Sequence, residues 1–324
     1  MLPPLTGLDR MKVLTVTLNP ALDRTLRVDR LVPGEHLLAH GSEVHAGGKG
    51  TNVSRALSAM GVRSTAMGIL GLFFGDLYVA LLEREDIVHD FTPYEGVTRI
   101  STTVIDERGE THIRERGGQV NGEVFDRFEG KLLERVDGST LCVLSGSLPA
   151  GLAKDTYARL IGGISDRGGS CILDTSGDPL RAALLPEPPT GCPPRAIKPN
   201  VDEAGEVLDF LPRSEAGLRD ACRRFHDAGV DLVVITRGRR GLFASGDGRV
   251  VSASVSVEGA VNTVGSGDAS VAAMVIGRGC GFGLEETARL ACAMGAANVL
   301  VSGAGILHGE DVEKIYDRVR LTAM

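Results

Sequence analysis

The sequence predicts an α/β fold, a Rossmann-like and mostly parallel sheet with helices on both faces that carries a small antiparallel β lid. Apolar strand-like runs alternate with helical segments along most of the 324 residues, which is the pattern of βαβ units. Two stretches break the alternation, residues 24–46 and 99–116, and each reads as a pair of extended segments around a polar turn. Period-two patterning with one polar face suits a small sheet standing apart from the main one. The length accommodates one large α/β domain or two ordinary ones.

The elements follow in order. "KVLTVTL" (12–18) reads as a strand and "GTNVSRALSAM" (50–60) as a helix; "STAMGIL" and "GDLYVALLERE" repeat the pair. From residue 121 the sequence gives a helix to about 134, the strand "TLCVLSG", a helix over 154–166 and the strand "SCILDTS". A short helix near 178–185, a strand end in "RAIKPN", a helix over 214–227 and the strand "LVVITRG" come next, and "NTVGSGDAS" (262–270) leads into a long Ala-rich helix. "LLPEPPTGCPPR" (184–195) is a Pro-rich surface loop. Met11 opens the first strand, so residues 11–324 form the predicted domain, the two lid segments are insertions, and 1–10 is an N-terminal extension.

Composition narrows the function classes. A formal net charge of −7 argues against a nucleic-acid binder, which usually shows a basic face. No apolar run approaches the roughly 18 residues a membrane span requires, and the N-terminus lacks the apolar core of a secretory signal. The six cysteines show no metal spacing. Cys142 and Cys171 fall inside apolar runs, where Cys behaves as a small hydrophobe. A reduced, cytoplasmic protein is the simple reading.

Four motifs can carry chemistry. In "NTVGSGD", a Gly-x-Gly turn at a helix start offers the backbone amides of Gly265, Ser266 and Gly267 to an anion. Asp268 then stands where a carboxylate can take a proton from an attacking hydroxyl, although a turn capped by Asp268 fits the same residues. "HAGGKGTNV" (45–53) fails as a phosphate-binding G-x-x-x-x-G-K-[ST] loop, because Glu43 and Gly50 stand where Gly and Ser/Thr are needed. Its glycines imply close backbone approach to a ligand, with Gly48, Lys49 and Asn52 facing it. "TLNPALD" (17–23) ends in Asp23, either a binder of sugar hydroxyls or a turn aspartate. In "KPNVDE", Asn200 and Glu203 lie three apart on an entering helix, a spacing that suits either Mg²⁺ or a cap.

These motifs in this order resemble the ribokinase-like (PfkB) family of carbohydrate kinases, and within it the hexose-phosphate branch. "TLNPALD", "GGKGTNV", "LSGSLPAG", "IKPN..E" and "NTVGSGD" carry the resemblance, which covers essentially residues 12–322. It implies a ribokinase-like fold and phosphorylation of a hydroxyl group by ATP with Mg²⁺. Asp268 would be the base and the 265–268 amides the anion hole. Asn200 and Glu203 would organise the metal, and Thr236, Gly238, Asn298 and Lys198 would border ATP. Asp23, Gly48, Lys49, Asn52, Arg99 and Ser147 would hold a sugar phosphate. The implied acceptor is fructose 1-phosphate, with tagatose 6-phosphate and fructose 6-phosphate as rivals. A kinase of unphosphorylated sugars or nucleosides would leave the charge of Lys49 and Arg99 unmatched, and a non-catalytic sensor would not need Asp268. A dimer through the lid is expected, since a free small sheet with an apolar face is an association hazard. Three departures from the family pattern stand out: Leu72, Phe73 and Phe74 replace a common acidic turn, Arg237 and Arg239 make the nucleotide loop basic, and Arg114 with Arg116 adds charge to one lid face.

Overall fold

In the computed structural model, which describes residues 1–185 and 191–323, the strands are β1 (Lys12–Thr17), β2 (Ala21–Arg27), β3 (Gly41–Gly47), β4 (Thr65–Phe73), β5 (Val88–Val97), β6 (Arg99–Asp106) and β7 (Gly109–Arg114). They continue as β8 (Thr140–Ser145), β9 (Ser170–Asp174), β10 (Ala196–Ile197), β11 (Leu232–Thr236), β12 (Leu242–Gly246), β13 (Arg249–Ser254) and β14 (Arg320–Ala323). Ten of these form the main sheet in the order β14-β13-β12-β11-β10-β9-β8-β1-β4-β5. Pairing is parallel from β5 through β11 and antiparallel across β11, β12, β13 and β14. The parallel part is the predicted sheet. Its strands are apolar almost throughout, β8 being buried at all six positions, as a sheet covered on both faces requires.

The helices are α1 (Lys49–Ala59), α2 (Gly75–Arg84), α3 (Gly122–Leu133), α4 (Thr156–Ser165), α5 (Gly177–Leu184), α6 (Val201–Leu208), α7 (Glu215–Asp227), α8 (Ser266–Cys280), α9 (Leu284–Asn298) and α10 (Gly309–Arg318). One sheet face packs against α3 to α7 through Phe128, Leu132, Tyr157, Leu160 and Phe225. The other packs against α1, α8, α9 and α10 through Val53, Leu57, Met274, Leu290 and Val312. Leu2, Leu5 and Leu8 of the N-terminal stretch lie against this second core. Among the described residues, no helix is long and apolar enough to cross a membrane.

The remaining strands form the lid, in the order β3-β2-β6-β7. Each hairpin is antiparallel, β2 with β3 and β6 with β7, and the two join through a parallel β2–β6 seam. The lid begins at Ala21, three residues before its predicted edge, because "ALD" continues into β2 rather than forming a turn. Asp23 therefore sits within a lid strand, opposite His45 and Ser101. Residues 28–40, inside the first predicted lid segment, form no strand.

Other differences have physical causes. β5 and the β12–β14 edge had no clear sequence signal. β5 ("VHDFTPYEGV") pairs only through β4, and its outer positions carry Pro, Gly and charged residues, which hide a strand from pattern reading. Of the Pro-rich loop expected over 184–195, residues 186–190 lie outside the described residues, and Leu184 ends α5.

Packing also explains the "GGKG" glycines. A Cβ at Gly47 would lie 2.1 Å from the Asp23 carboxylate, and one at Gly48, whose φ is +114°, would lie 2.6 Å from the Thr17 methyl. A Cβ at Gly50 would lie 2.6 Å from the Val16 carbonyl oxygen. The close approach is thus to β1 and β2 themselves. Gly50→Ala should destabilise the fold by about 1–3 kcal/mol through overpacking of α1 on β1. A urea unfolding midpoint equal to that of the wild type would contradict this.

Candidate active site

The candidate residues gather at the carboxyl ends of the parallel strands, around β1, where the chain order reverses and α/β sheets bind ligands. Asn19 follows β1, Ser147 follows β8, Asp174 ends β9, Lys198 follows β10 and Thr236 ends β11. The amino ends of α1 and α8 point to the same place, and the lid contributes Asp23 and Arg99.

The "NTVGSGD" turn is built by steric need. Gly265 has φ +87°, and a Cβ there would lie 2.4 Å from the Gly305 amide nitrogen. No side chain caps α8; the Ser266 hydroxyl donates instead to the Thr263 carbonyl. The first-turn amides are left to an anion at the positive end of the helix. Asp268 does not cap either. Its Oδ2 accepts a 2.8 Å bond from Nδ2 of Asn52 on α1.

Asp268 is buried beside a charged cluster. Asp174, with no side-chain exposure, lies 3.3 Å from both Lys49 and Lys198 and accepts from Ser145 Oγ at 3.2 Å. Lys49 also lies 3.7 Å from Glu203 Oε1. Burial, together with the negative charge of Asp174, pushes Asp268 up to about 7, against Lys49, the Asn52 bond and Lys198. Burial would raise Asp174 too, but its two lysines win and hold it below the usual carboxylate range. Lys49 feels a burial penalty, which Asp174, Glu203 and Asp268 overcome, so it stays charged.

The structure gives the sequence-derived residues their partners. Lys49 is paired with Asp174 and Glu203. Lys198 belongs to this same centre, its Nζ 3.1 Å from where a Cβ on Gly267 would be. Asn298 is wholly buried: Nδ2 donates to Val264 and Oδ1 accepts from the Gly305 amide, which pins the anion-hole loop. Asn200 realises the capping alternative, its Oδ1 accepting from the Asp202 and Glu203 amides while Glu203 Oε2 accepts from the Asn200 amide. Glu203 Oε1 remains turned toward Lys49. Thr236 bridges to Asn200, and Gly238 opens an exposed turn with free space around it.

The lid side forms a second group. Arg99 donates to the carbonyls of Asn19 and Glu115, and the Asn19 amide donates to Ser147 Oγ at 3.2 Å. Arg99 Nε is buried with no protein partner, so this guanidinium retains an unmet donor. Burial raises Asp23, against the pull of Arg55, Arg99, Arg114 and His45. Sequence reasoning missed Asp174, Asn19, Tyr78 and Arg55. Asp174 carried the signal used for Asp23, an acid ending an apolar strand. Tyr78, which donates to the Gly47 carbonyl at 2.9 Å and so fixes the glycine loop, carried none.

An uncapped helix start beside a poised carboxylate, a buried lysine and a half-buried one suits moving a phosphoryl group onto a hydroxyl. Residues 16–309 match the pfkB family of carbohydrate kinases, and the chain belongs to that family. It is 31% identical over 310 residues to a 1-phosphofructokinase of Borreliella burgdorferi, covering 95% of this chain and 98% of that one. It is 29% identical over 312 residues to a tagatose-6-phosphate kinase of Staphylococcus epidermidis, covering 95% and 99%. The tetrameric inhibited form of phosphofructokinase-2 from Escherichia coli superposes with a TM-score of 0.87 at 27% identity, covering 95% of this chain and 98% of that one.

An aspartate that is raised in the folded state and ordinary when unfolded, near 3.9, binds protons in the native protein that the unfolded chain has lost. Stability therefore falls as pH rises from about 4 through about 7. Asp268→Asn removes that penalty while its amide can still accept from Asn52. Its melting temperature should exceed the wild type's at pH 8, by about 2–4 °C per kcal/mol relieved, and the gain should vanish near pH 4. A pH-independent difference in calorimetry would refute the assignment.

Proposed function

We propose that the protein transfers the γ-phosphoryl group of ATP to fructose 1-phosphate, giving fructose 1,6-bisphosphate. The observation carrying this reading is Asp268, buried at an uncapped helix start with one oxygen held by Asn52 and the other free. That oxygen takes the proton of the acceptor hydroxyl, and a base near 7 is matched to the task at neutral pH. The amides of Gly265, Ser266, Gly267 and Asp268 receive charge on the transferring group. Lys49 and Lys198 flank it from α1 and β10.

Mg²⁺, when bound, neutralises phosphate charge and aligns the transfer. Glu203 Oε1 is the oxygen suited to hold it through water, and Asn200 fixes that side chain rather than contacting the metal. The basic turn from Thr236 to Gly238 suits the nucleotide, with room at Gly238 for close approach.

Fixed positive charge on the lid argues for a phosphorylated acceptor. Arg99, with its unmet Nε–H and the nearby hydroxyl of Ser147, suits the phosphate, while Asp23 and Asn52 suit sugar hydroxyls and Gly48 lets the ring approach. Closure of β2 and β6 over the acceptor would exclude water as a competing nucleophile. The curated relatives act on fructose 1-phosphate or tagatose 6-phosphate by their names, so the two substrates must be compared directly. Six free thiols, four of them buried, support a reducing, cytoplasmic setting.

A homodimer through the lid completes the reading. Leu72, Phe73, Phe74, Leu77 and Val97 are exposed at the lid's base, and Ile113 is exposed on the outer strand β7. Contiguous exposed apolar surface of this kind marks an association face. Phe73→Glu with Ile113→Glu should convert a dimer into monomers in light scattering. A wild-type monomer or tetramer at micromolar concentration would rule out the lid dimer as the solution state.

The first test is turnover of ATP with Mg²⁺ against fructose 1-phosphate, tagatose 6-phosphate, fructose 6-phosphate, fructose and adenosine. Fructose 1-phosphate should lead in kcat/KM. Asp268→Asn should lose about 10²–10⁴-fold in kcat while still binding sugar phosphate. Arg99→Met should raise KM for the sugar phosphate about 10–100-fold, the worth of one charged hydrogen bond, and leave KM for ATP unchanged. Turnover with uncharged acceptors alone would keep the kinase and remove the phosphate pocket.

A further inference from the structure

Asn52 orients the candidate base, and something must orient Asn52. Its two amide ends are nearly alike in shape, so the bond to Asp268 depends on which end faces which neighbour. Arg55, one helical turn along α1, answers this. Its NH1 donates to Asn52 Oδ1 at 3.0 Å, and a guanidinium has no acceptor to offer an amide nitrogen. If the amide turned over, its oxygen would face the Asp268 carboxylate and its NH₂ would face the guanidinium donors. Both contacts are repulsive, so the fork fixes Nδ2 toward Asp268.

The same guanidinium ties together the walls of the site. NH1 also donates to the Ala304 carbonyl at 2.9 Å and NH2 to the Ala46 carbonyl at 2.6 Å, while Nε donates to Glu85 Oε2 at 2.6 Å. Ala46 precedes the glycine loop that leads to Lys49. Ala304 and Gly305 are wedged between Asn52 and Gly265: a Cβ on Gly305 would lie 2.4 Å from the Asn52 carbonyl oxygen, and one on Gly265 would lie 2.4 Å from the Gly305 nitrogen. Glu85 holds the outer end of Arg55 from the carboxyl end of α2, with His45 3.8 Å away. A buried arginine is expensive unless its donors are engaged, and four of the five N–H donors of Arg55 are bonded to four segments.

We propose that Arg55 is a positioning residue for phosphoryl transfer: it locks the Asn52 amide so that Asp268 Oδ1 stays open to the acceptor hydroxyl, and it sets the 303–305 segment that supports the anion-hole turn. This rests on the reading of Asp268 as the base. Asp268 is faced by Lys49 and Asn52 from α1, Asp174 from β9 and Lys198 beyond β10. Arg55 is faced by Asp23 from β2, His45 from β3, and Tyr78 and Glu85 from α2 and its end. Loss of the guanidinium therefore removes the constraint on the donor to Asp268 without removing any charge in direct contact with it.

The experiment uses the full chain with Arg55→Lys, Arg55→Met and the milder Glu85→Gln, followed by kcat, KM, pH profile and melting temperature. Both Arg55 variants should lose about 10–100-fold in kcat, the scale of a sub-ångström misplacement, with KM for both substrates within about threefold of wild type. The acid limb of kcat/KM should move to higher pH, because a carboxylate without its fixed donor is easier to protonate. Glu85→Gln should show the same signs at smaller size, and in Asn52→Ala the further change Arg55→Lys should add little. Wild-type kcat and pH profile in folded Arg55 variants overturn the proposal. So does a kcat loss that tracks lost melting temperature, with the acid limb unmoved. Asp268→Asn separates the two failures: if it retains turnover the base assignment is wrong, and if it is inactive while the Arg55 variants are normal, only the positioning role is wrong.

Discussion

Asp174 has no side-chain exposure and holds two ammonium groups, those of Lys49 and Lys198, each 3.3 Å from the same oxygen. A carboxylate buried alone would take a proton; here the two lysines keep it charged. Those lysines arrive from different halves of the chain, one opening α1 and the other closing β10. Their pairing fixes where the first helix enters relative to the middle of the sheet. The fixed negative charge of Asp174 in turn adds to burial in raising the proton affinity of Asp268. Remove Asp174 and the buried Lys198 loses its carboxylate partner, while the half-buried Lys49 keeps only Glu203; stranding a buried cation costs more than the pair contributes.

Glycine placement is the backbone counterpart of this charge arrangement. Gly48 and Gly265 occupy positive-φ positions where a side chain would strike a neighbouring segment within 3 Å. Each makes room for its own protein, Gly48 for Thr17 and Gly265 for Gly305. Ligand access follows from this packing: α1 and α8 can converge on one point because the residues that cap them, Gly48 and Gly265, lack side chains. Thr17 supplies what Gly48 lacks, its Oγ1 accepting from the Thr51 amide at 3.0 Å in place of a helix cap.

The parallel sheet, most of its helices and the lid's existence were legible because each rests on local pattern: apolar runs, a 3.6-residue period and two departures to period two. β5 and β12–β14 were not: β5 is an edge strand carrying Pro, Gly and charge that resemble loop, and β12–β14 are only four to six residues each, too short for a clear pattern. Of the site, Asp268 and its glycines were legible from their spacing at a helix start. The partners of each group were not. "KPNVDE" does not say that Asn200 is committed to two amides, and a lysine after two glycines does not say that Asp174, 125 residues on, neutralises it. Asn298 was named through the family resemblance as bordering ATP; its bonds to Val264 and Gly305 carry no signal in the sequence. Pairing across the fold is a long-range property that no short window contains.

Long-range pairing also explains why one site can be both poised and closed to water. Asp268 must be basic enough to take a proton yet not so basic that it is protonated throughout the neutral range, and its surroundings pull both ways. Burial and Asp174 raise it; Lys49, Lys198 and the Asn52 donor limit the rise. In the proposed reaction Lys49 and Lys198 would flank the transferred phosphoryl group, so arrival of that anion would weaken their hold on Asp268 and make it a stronger base when the hydroxyl is in place. The basicity needed for the proposed reaction would thus increase with occupancy of the phosphoryl site. A carboxylate in water, held near 3.9, would be ionised at all times and would gain little by accepting a proton.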